Sequence, residues 1–400
     1  MLRSFRVANH KSIRDEQELL LVPAYDKSLT AVPIAAVYGA NAAGKSNVLD
    51  ALGWMRAAVD DSYARWRPEG PVPRHPFRLN PAAAQAPSLY SVDFLVDGVR
   101  HTYGFVVDDA TVREEWLYTY PNSNRRRVIF EREGQTWSFG STVARPRFEL
   151  LRQLTRDNAL FLSVAAQSNT PETASAHKWF QQLRFGARFS KWRMSAVITA
   201  LESSPARRQV LVALVQAADL GISDVRPRQP AHDEATGLVL QKPDVEFVHG
   251  DSGIAMPTWG QSDGTLNWLS LLVSALDALE QGSLLCIDEI DASLHSRLTP
   301  RLIELFRSPE TNRHGAQLVF TTHDATLLGT SFGEDILQRD EIWFVRKGTS
   351  GATELFPLTD FHPRKDENTE RRYLGGSYGA VPDVSEYEFR KALIDDGAAV

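Results

Sequence analysis

The sequence predicts an α/β protein built on a parallel sheet that carries an antiparallel β lobe and a helical segment. Three observations lead there. The stretch "VYGANAAGKSN", residues 37–47, joins an apolar strand pattern to a helical one, and residues 90–137 alternate apolar and polar with period two. Farther on, "SLLCIDEID" and "AQLVFTTHD" are apolar runs that end abruptly in polar residues, as buried parallel strands do where they meet solvent.

Composition sets the outer limits. With 400 residues, 43% hydrophobic and 24% charged, the chain has apolar side chains enough for a large core or two lobes. The longest apolar stretch, 266–279, is interrupted by Asn267 and Asp277 and falls short of the ~20 residues a membrane span needs. The start, "MLRSFRVANHKSI", lacks the apolar run of a signal peptide, so the expected location is cytoplasmic and no membrane partner is expected. Cys286 is the one cysteine, which excludes an internal disulfide framework and a cysteine-rich metal site. A net charge of −6 argues against a surface basic all round. Three local clusters remain candidates for polyanion contact or for plain solvated faces: Arg125 to Arg127; Arg184, Arg188, Lys191 and Arg193; and Arg207 with Arg208.

The elements follow in chain order. "VPIAAVYG" reads as a buried strand, and Val48, Leu52, Met55 and Val59 recur at helical spacing after the glycine loop. Between them, Gly39, Gly44, Lys45 and Ser46 fit the phosphate-binding pattern G-x-x-x-x-G-K-[ST], with Asn41 and Asn47 in and beside the loop. A strand feeding a helix start is the context that pattern requires, because unpaired backbone N–H groups and the positive end of the helix dipole then face the phosphate. Turn signals at Asp97-Gly98, Asp108-Asp109 and Glu133-Gly134 divide the alternating region into an antiparallel meander. "NALFLSVAAQ" reads as a further apolar strand. Residues 171–220 read as helical, with Leu183 and Phe185 on one face of a first segment and Val210, Leu214 and Val215 on one face of a second. Pro227, Pro230 and "AHDEATG" mark a loop before the strand "DVEFVH". Ser262, Asp263 and Gly264 open a helix whose apolar face carries Leu266, Leu269, Leu272, Val273 and Leu276. "EIWFVRKGTSGATELFPL" reads as a closing hairpin, and 362–400 as a peripheral tail. The division expected is an N-terminal lobe at 1–165, a helical subdomain with its connecting loop at 166–250, a C-terminal lobe at 251–361 and the tail.

Nucleotide hydrolysis needs a metal ligand and a group that orients water. Asp288, where the "LLCI" strand meets solvent, suits Mg²⁺ held together with Ser46, and Glu289 beside it is placed as the base or water-positioning carboxylate. His323, at the end of the following strand, can reach a γ-phosphate.

The order of these parts resembles the ABC-type P-loop ATPase head of SMC proteins, RecF-like repair proteins and overcoming-lysogenization-defect nucleases, an α/β fold with an antiparallel β subdomain and a helical insertion. The resemblance implies ATP and Mg²⁺ as ligands. It makes Gln167 the residue that touches Mg²⁺ and water, His323 the switch histidine and Asp291 part of the D-loop. It also makes Ser262, Asp263, Gly264 and Thr265 the signature motif that closes on the ATP of a partner subunit, so a homodimer or higher homo-oligomer is implied. The signature departs from the usual L-S-G-G-Q form. A narrower resemblance, carried by "FRVANHKSIRD", "PFRL", "NALFLSVAAQSN", "QSDGT", "DEIDASLH" and "RRYLGGSYGAVP", is to stand-alone bacterial AAA-family ATPases of the RloA/AbiLi type, associated with abortive infection. It implies a sensor or regulatory ATPase of phage defence that acts with a separately encoded effector, since no Toprim-like nuclease half follows the head. The alternative is a RecF/SMC-like protein that clamps DNA with ATP; a transporter ATPase suits the antiparallel insertion poorly.

Overall fold

A computed structural model describes residues 1–121, 125–186, 191–218, 221–228, 231–232, 239–241, 244–250, 253–292, 295–330, 333, 335–364, 367–382 and 391. Its centre is a six-stranded sheet made of β1 (Ile34–Gly39), β2 (Arg184–Gly186), β3 (Leu284–Ile287), β4 (Gln317–Thr322), β5 (Ile342–Lys347) and β6 (Thr353–Pro357). The spatial order is β6-β5-β1-β4-β3-β2, and every neighbouring pair is parallel except the β5–β6 hairpin. All six residues of β1 are buried, which accounts for its unbroken apolar run. Its side chains alternate between two cores: Ala35 and Val37 belong to the one that holds helix α1 (Lys45–Asp61), and Ile34, Ala36 and Tyr38 to the other.

The first core continues into a seven-stranded antiparallel sheet. Strands Gln17–Leu20 and Leu2–Ala8 lead into the meander Ser88–Val96, Val99–Val107, Val112–Tyr120, Arg127–Glu133 and Thr136–Phe139, with turns where the sequence signals them.

Three expectations are corrected. "NALFLSVAAQ" is not a strand: Phe161–Gln167 forms helix α2. Its first turn is capped by the buried carboxylate of Glu115, which accepts the N–H groups of Phe161 (2.6 Å) and Leu162 (3.0 Å) along with the Tyr103 hydroxyl (3.0 Å). A cap supplied from a distant strand leaves no local sign, and a short apolar run fits strand or helix equally. The helical face expected to carry Leu183 and Phe185 also does not form. The helix Pro171–Gln182 ends before them, and Phe185 sits in β2, an edge strand of three residues, too short for periodicity to register. Pro227, read as loop, lies within the strand Ile222–Arg228, on the edge of a small antiparallel sheet where its missing N–H costs no ladder bond. Pro230 and most of "AHDEATG" fall outside the described residues.

The tail is only partly peripheral. Tyr373 and Tyr378 are buried against β5, both stacked on Phe344, at 5.8 and 4.9 Å between ring centroids, and Tyr373 meets Tyr38 of β1 edge-on at 5.4 Å. Aromatic pairs of this kind hold the second core closed from outside, so "RRYLGGSYGA" acts as a cover for the strand that leads to the glycine loop.

Candidate nucleotide site

Ligands of open α/β sheets bind beyond the carboxyl ends of the strands, and β1, β3 and β4 deliver the predicted residues there together. β1 runs into the loop 40–44, and α1 starts at Lys45 with Gly44 as its N-terminal cap at φ 109°. Only glycine fits at Gly44: besides the left-handed φ, a Cβ would stand 2.1 Å from Thr353 Oγ1 and 2.8 Å from Ser12 Oγ. At Gly39 a Cβ would approach the Val345 carbonyl oxygen to 2.6 Å, so the close passage of β5 requires this glycine too.

A chain of hydroxyls braces the loop. Thr353 Oγ1 donates to the Ala43 carbonyl (2.7 Å) and contacts Ser12 Oγ (2.7 Å), which accepts from Asn47 Nδ2 (2.6 Å). The Thr353 N–H donates to the Ser12 carbonyl (2.8 Å). Neither Ser12 nor Thr353 follows from the motif; each lies far along the chain and is identified only by contact. Asn41 and Ser46 are exposed at the loop and the helix start, the positions a phosphate chain would reach.

Lys45 is the single cation inside the loop and is 6% exposed. Its Nζ donates to the carbonyls of Gly39 (2.8 Å) and Ala40 (3.2 Å) and lies 3.4 Å from His323 Nδ1. Burial lowers its pKa, while the charges of Glu289, Asp288 and Asp291 act in the opposite sense. Three carboxylates thus converge on one ammonium group.

Two buried threonines of β4 that sequence reasoning passed over hold Asp288 and Asp291 by their carboxylates and Glu289 by its backbone N–H. Thr321 Oγ1 donates to Asp288 (2.6 Å) and accepts the Glu289 N–H (2.7 Å). Thr322 Oγ1 donates to Asp291 (2.6 Å), whose carboxylate also takes the His323 N–H at 3.4 Å. Glu289 has φ 50°, a left-handed conformation that a non-glycine residue keeps only under constraint, here from Thr321 on its own N–H. The pair of hydroxyls in "FTTHD" was the available signal.

Ser46 and Asp288 line one cavity of about 460 Å³ with Asn47, Asp50, Phe185 and Gly186. A serine hydroxyl and a carboxylate are hard oxygen donors, the set Mg²⁺ takes when substrate phosphate and water complete its shell. Gln167 does not join them. It is exposed at the end of α2, a helix docked at the far end of α1, where Ser163 Oγ accepts the Tyr63 N–H (3.2 Å) and Ser62 Oγ accepts the Leu160 N–H (3.1 Å). At 1.5 Å per residue, α1 keeps Gln167 more than about 10 Å from Ser46. The strand beside β3 is β2, and its Phe185 and Gly186 reach the cavity instead.

Ser262, Asp263, Gly264 and Thr265 stand apart. Ser262 caps helix α3 (Asp263–Gln281) by accepting the Thr265 N–H (3.2 Å). α3 packs through Leu269, Leu272 and Ala275 in the second core, on the face of the sheet opposite α1. It ends at Gln281, just before β3 begins, so it runs back along the strand. A helix of 19 residues is roughly 28 Å long. β3, with four, covers roughly 13 Å. The N-terminus of α3 therefore projects past the carboxyl edge of the sheet, on the face opposite α1.

Two of the basic clusters can be placed. Arg207 pairs with Asp277 and Glu280, and Arg208 with Asp224 (2.7 Å), so this cluster is neutralised within the chain. Arg125 to Arg127 are exposed. Arg188 and the side chains of Lys191 and Arg193 fall outside the described residues. Among the described residues no helix is long and apolar enough to cross a membrane.

A glycine loop on β1, acids after β3 and a histidine after β4 are gathered on what the family comparison shows to be an AAA domain. The chain belongs to the family described as "AAA domain, putative AbiEii toxin, Type IV TA system", whose model matches residues 34–329. Among solved structures it is similar to the SMC head domain from Thermotoga maritima, at 12% identity and TM-score 0.44 over 89% of this chain and 98% of that one. It is also similar to an SMC head bound to the C-winged helix domain of ScpA, at 12% identity and TM-score 0.47 over 90% and 99%. A third is an SMC head with an extended coiled coil bound to the C-terminal domain of ScpA from Pyrococcus furiosus, at 10% identity and TM-score 0.42 over 90% and 97%. Comparison with curated proteins gave no match.

Proposed function

We propose that the chain hydrolyses ATP at a site completed by a second copy of itself, and that it serves as the sensor or regulatory ATPase of a bacterial anti-phage, abortive-infection system with a separate effector protein. The observation that carries the first part is the placement of Lys45, Asp288, Glu289 and His323 around one loop while Ser262–Thr265 project from the opposite face of the sheet. Lys45 and the backbone N–H groups of the loop hold the β- and γ-phosphates. Ser46 and Asp288 would hold Mg²⁺, which neutralises charge on those phosphates when bound. Glu289 orients and deprotonates the attacking water, and His323 contacts the γ-phosphate. The second helix N-terminus needed to close over that phosphate comes from the partner. The defence role rests on the family's description and on the resemblance to RloA/AbiLi-type proteins. For the DNA-clamp alternative the Arg207–Arg208 cluster is spent on internal ion pairs, which leaves the exposed Arg125, Arg126 and Arg127 as the described basic cluster it could use.

A mixing experiment tests the two-copy site. Glu289→Gln disables the chain's own carboxylate, and Gly264→Asp places a repelling charge on the helix start it offers to its partner. Each variant alone is expected to be nearly inactive. In a mixed pair one of the two sites is intact, so an equal mixture should recover about a quarter of the native rate if chains pair at random. No recovery above the sum of the separate variants would refute the shared site.

A further inference from the structure

We propose that Trp259 of one copy seats its indole in the cleft beside Leu79 of the second copy, forming a reciprocal anchor on either side of the bound nucleotides. This rests on the two-copy site above and names the contact that holds it.

Trp259 is 84% exposed and Leu79 is 70% exposed, the two most exposed large apolar side chains among the described residues. Each flanks a different half of the proposed composite site. Trp259 sits three residues before Ser262 in the 3₁₀ turn Thr258–Gly260. The turn is fixed by the Gln261 N–H on the Thr258 carbonyl (3.0 Å) and by Thr258 Oγ1 on Asp244 (2.8 Å), so the indole is presented on a rigid base next to the α3 N-terminus. Leu79 belongs to "PFRL", a stretch with no part in the nucleotide chemistry. It borders a cleft of about 400 Å³ whose walls include Pro76, Phe77, Arg78, Lys347 and Gly351.

That cleft is fastened to the phosphate loop. Phe77 donates its N–H to Asn9 Oδ1 (2.8 Å) and Lys11 donates its N–H to the His75 carbonyl (2.6 Å), while Ser12, also on the cleft wall, braces Asn47 and Thr353. When Ser262 of one copy closes over residues 39–46 of the other, Trp259 stands at most about 10 Å along the chain from that contact, within reach of a cleft that shares Ser12 with the brace of the loop. The chemistry is complementary. Apolar Pro76, Phe77 and Leu79 accept the ring, no carboxylate is among the described residues that line the cleft, and Arg78 and Lys347 offer cations to its face. Two-fold symmetry makes the contact twice, and a tryptophan filling a pocket is a common energetic centre of an interface.

The test uses the full chain with ATP. Trp259→Ala is expected to weaken ATP-dependent association, measured by sedimentation, by about tenfold or more. Binding of ATP to the isolated subunit should remain unchanged. Trp259→Cys subunits mixed with Leu79→Cys subunits are expected to form an interchain disulfide under mild oxidation only when ATP is present; the native Cys286 is buried and does not compete. Native association by Trp259→Ala together with no cross-link would overturn the anchor while leaving the shared ATP site standing. If the unsubstituted protein fails to associate with ATP at all, the two-copy reading itself is lost. Weaker ATP binding by isolated Leu79→Cys subunits would make the cleft a seat for the nucleotide and refute its role as a protein contact.

Discussion

Lys45→Ala is expected to abolish high-affinity ATP binding and, with it, all turnover. Lys45 is the cation bonded to the loop carbonyls, Lys11 beside the Ser46 cavity is paired with Asp50, and the three acids nearby are like-charged with the phosphates. Removing one charged donor from a phosphate site costs about 1.5–3 kcal/mol, or roughly ten- to more than a hundredfold in affinity. The fold is expected to survive, because the buried ammonium is held at a desolvation cost and the loop is braced independently through Ser12 and Thr353. Titration with ATP by calorimetry, beside a thermal melt, measures both. Native affinity in a folded Lys45→Ala protein would show that the glycine loop is not the nucleotide site.

Glu289→Gln is expected to separate binding from chemistry. The substitution keeps the size and backbone of the residue, and it leaves Asp288 and its bond from Thr321 in place. What it removes is the carboxylate charge that orients and deprotonates water. Loss of a positioned general base typically lowers a rate by about 10²- to 10⁴-fold. ATP should therefore bind normally, persist, and lock the subunits together. A native steady-state rate in this variant would assign the chemistry to another group.

What the sequence disclosed and what it hid divide by distance along the chain. The positions of the β1–loop–α1 unit, of Asp288, Glu289 and Asp291 after β3, and of His323 after β4 were legible because spacing within a dozen residues determines each local geometry. The groups that hold them were not. Thr353 reaches the loop across 310 residues of chain, and its contact with Ser12 spans 341. Thr321 and Thr322 act on acids about thirty residues upstream, through a pairing of β4 with β3 that no pattern encodes. Helix α2 was misread because its cap is Glu115, on another element. With that misreading went Gln167: its place after an apolar run resembled a strand end, while the true neighbour of β3 is a strand of three residues, Arg184–Gly186. The tail gave no local hint that Tyr373 and Tyr378 close the core behind β1 and β5.

The central claim is that one chain holds only half of each working site. Its most direct test is the ATPase rate per chain measured across a dilution series, with the association state at every concentration followed by sedimentation in the same buffer. The account predicts a rate per chain that falls in step with the dimeric fraction and approaches zero for the monomer. A rate per chain that stays constant down to a proven monomer would contradict it.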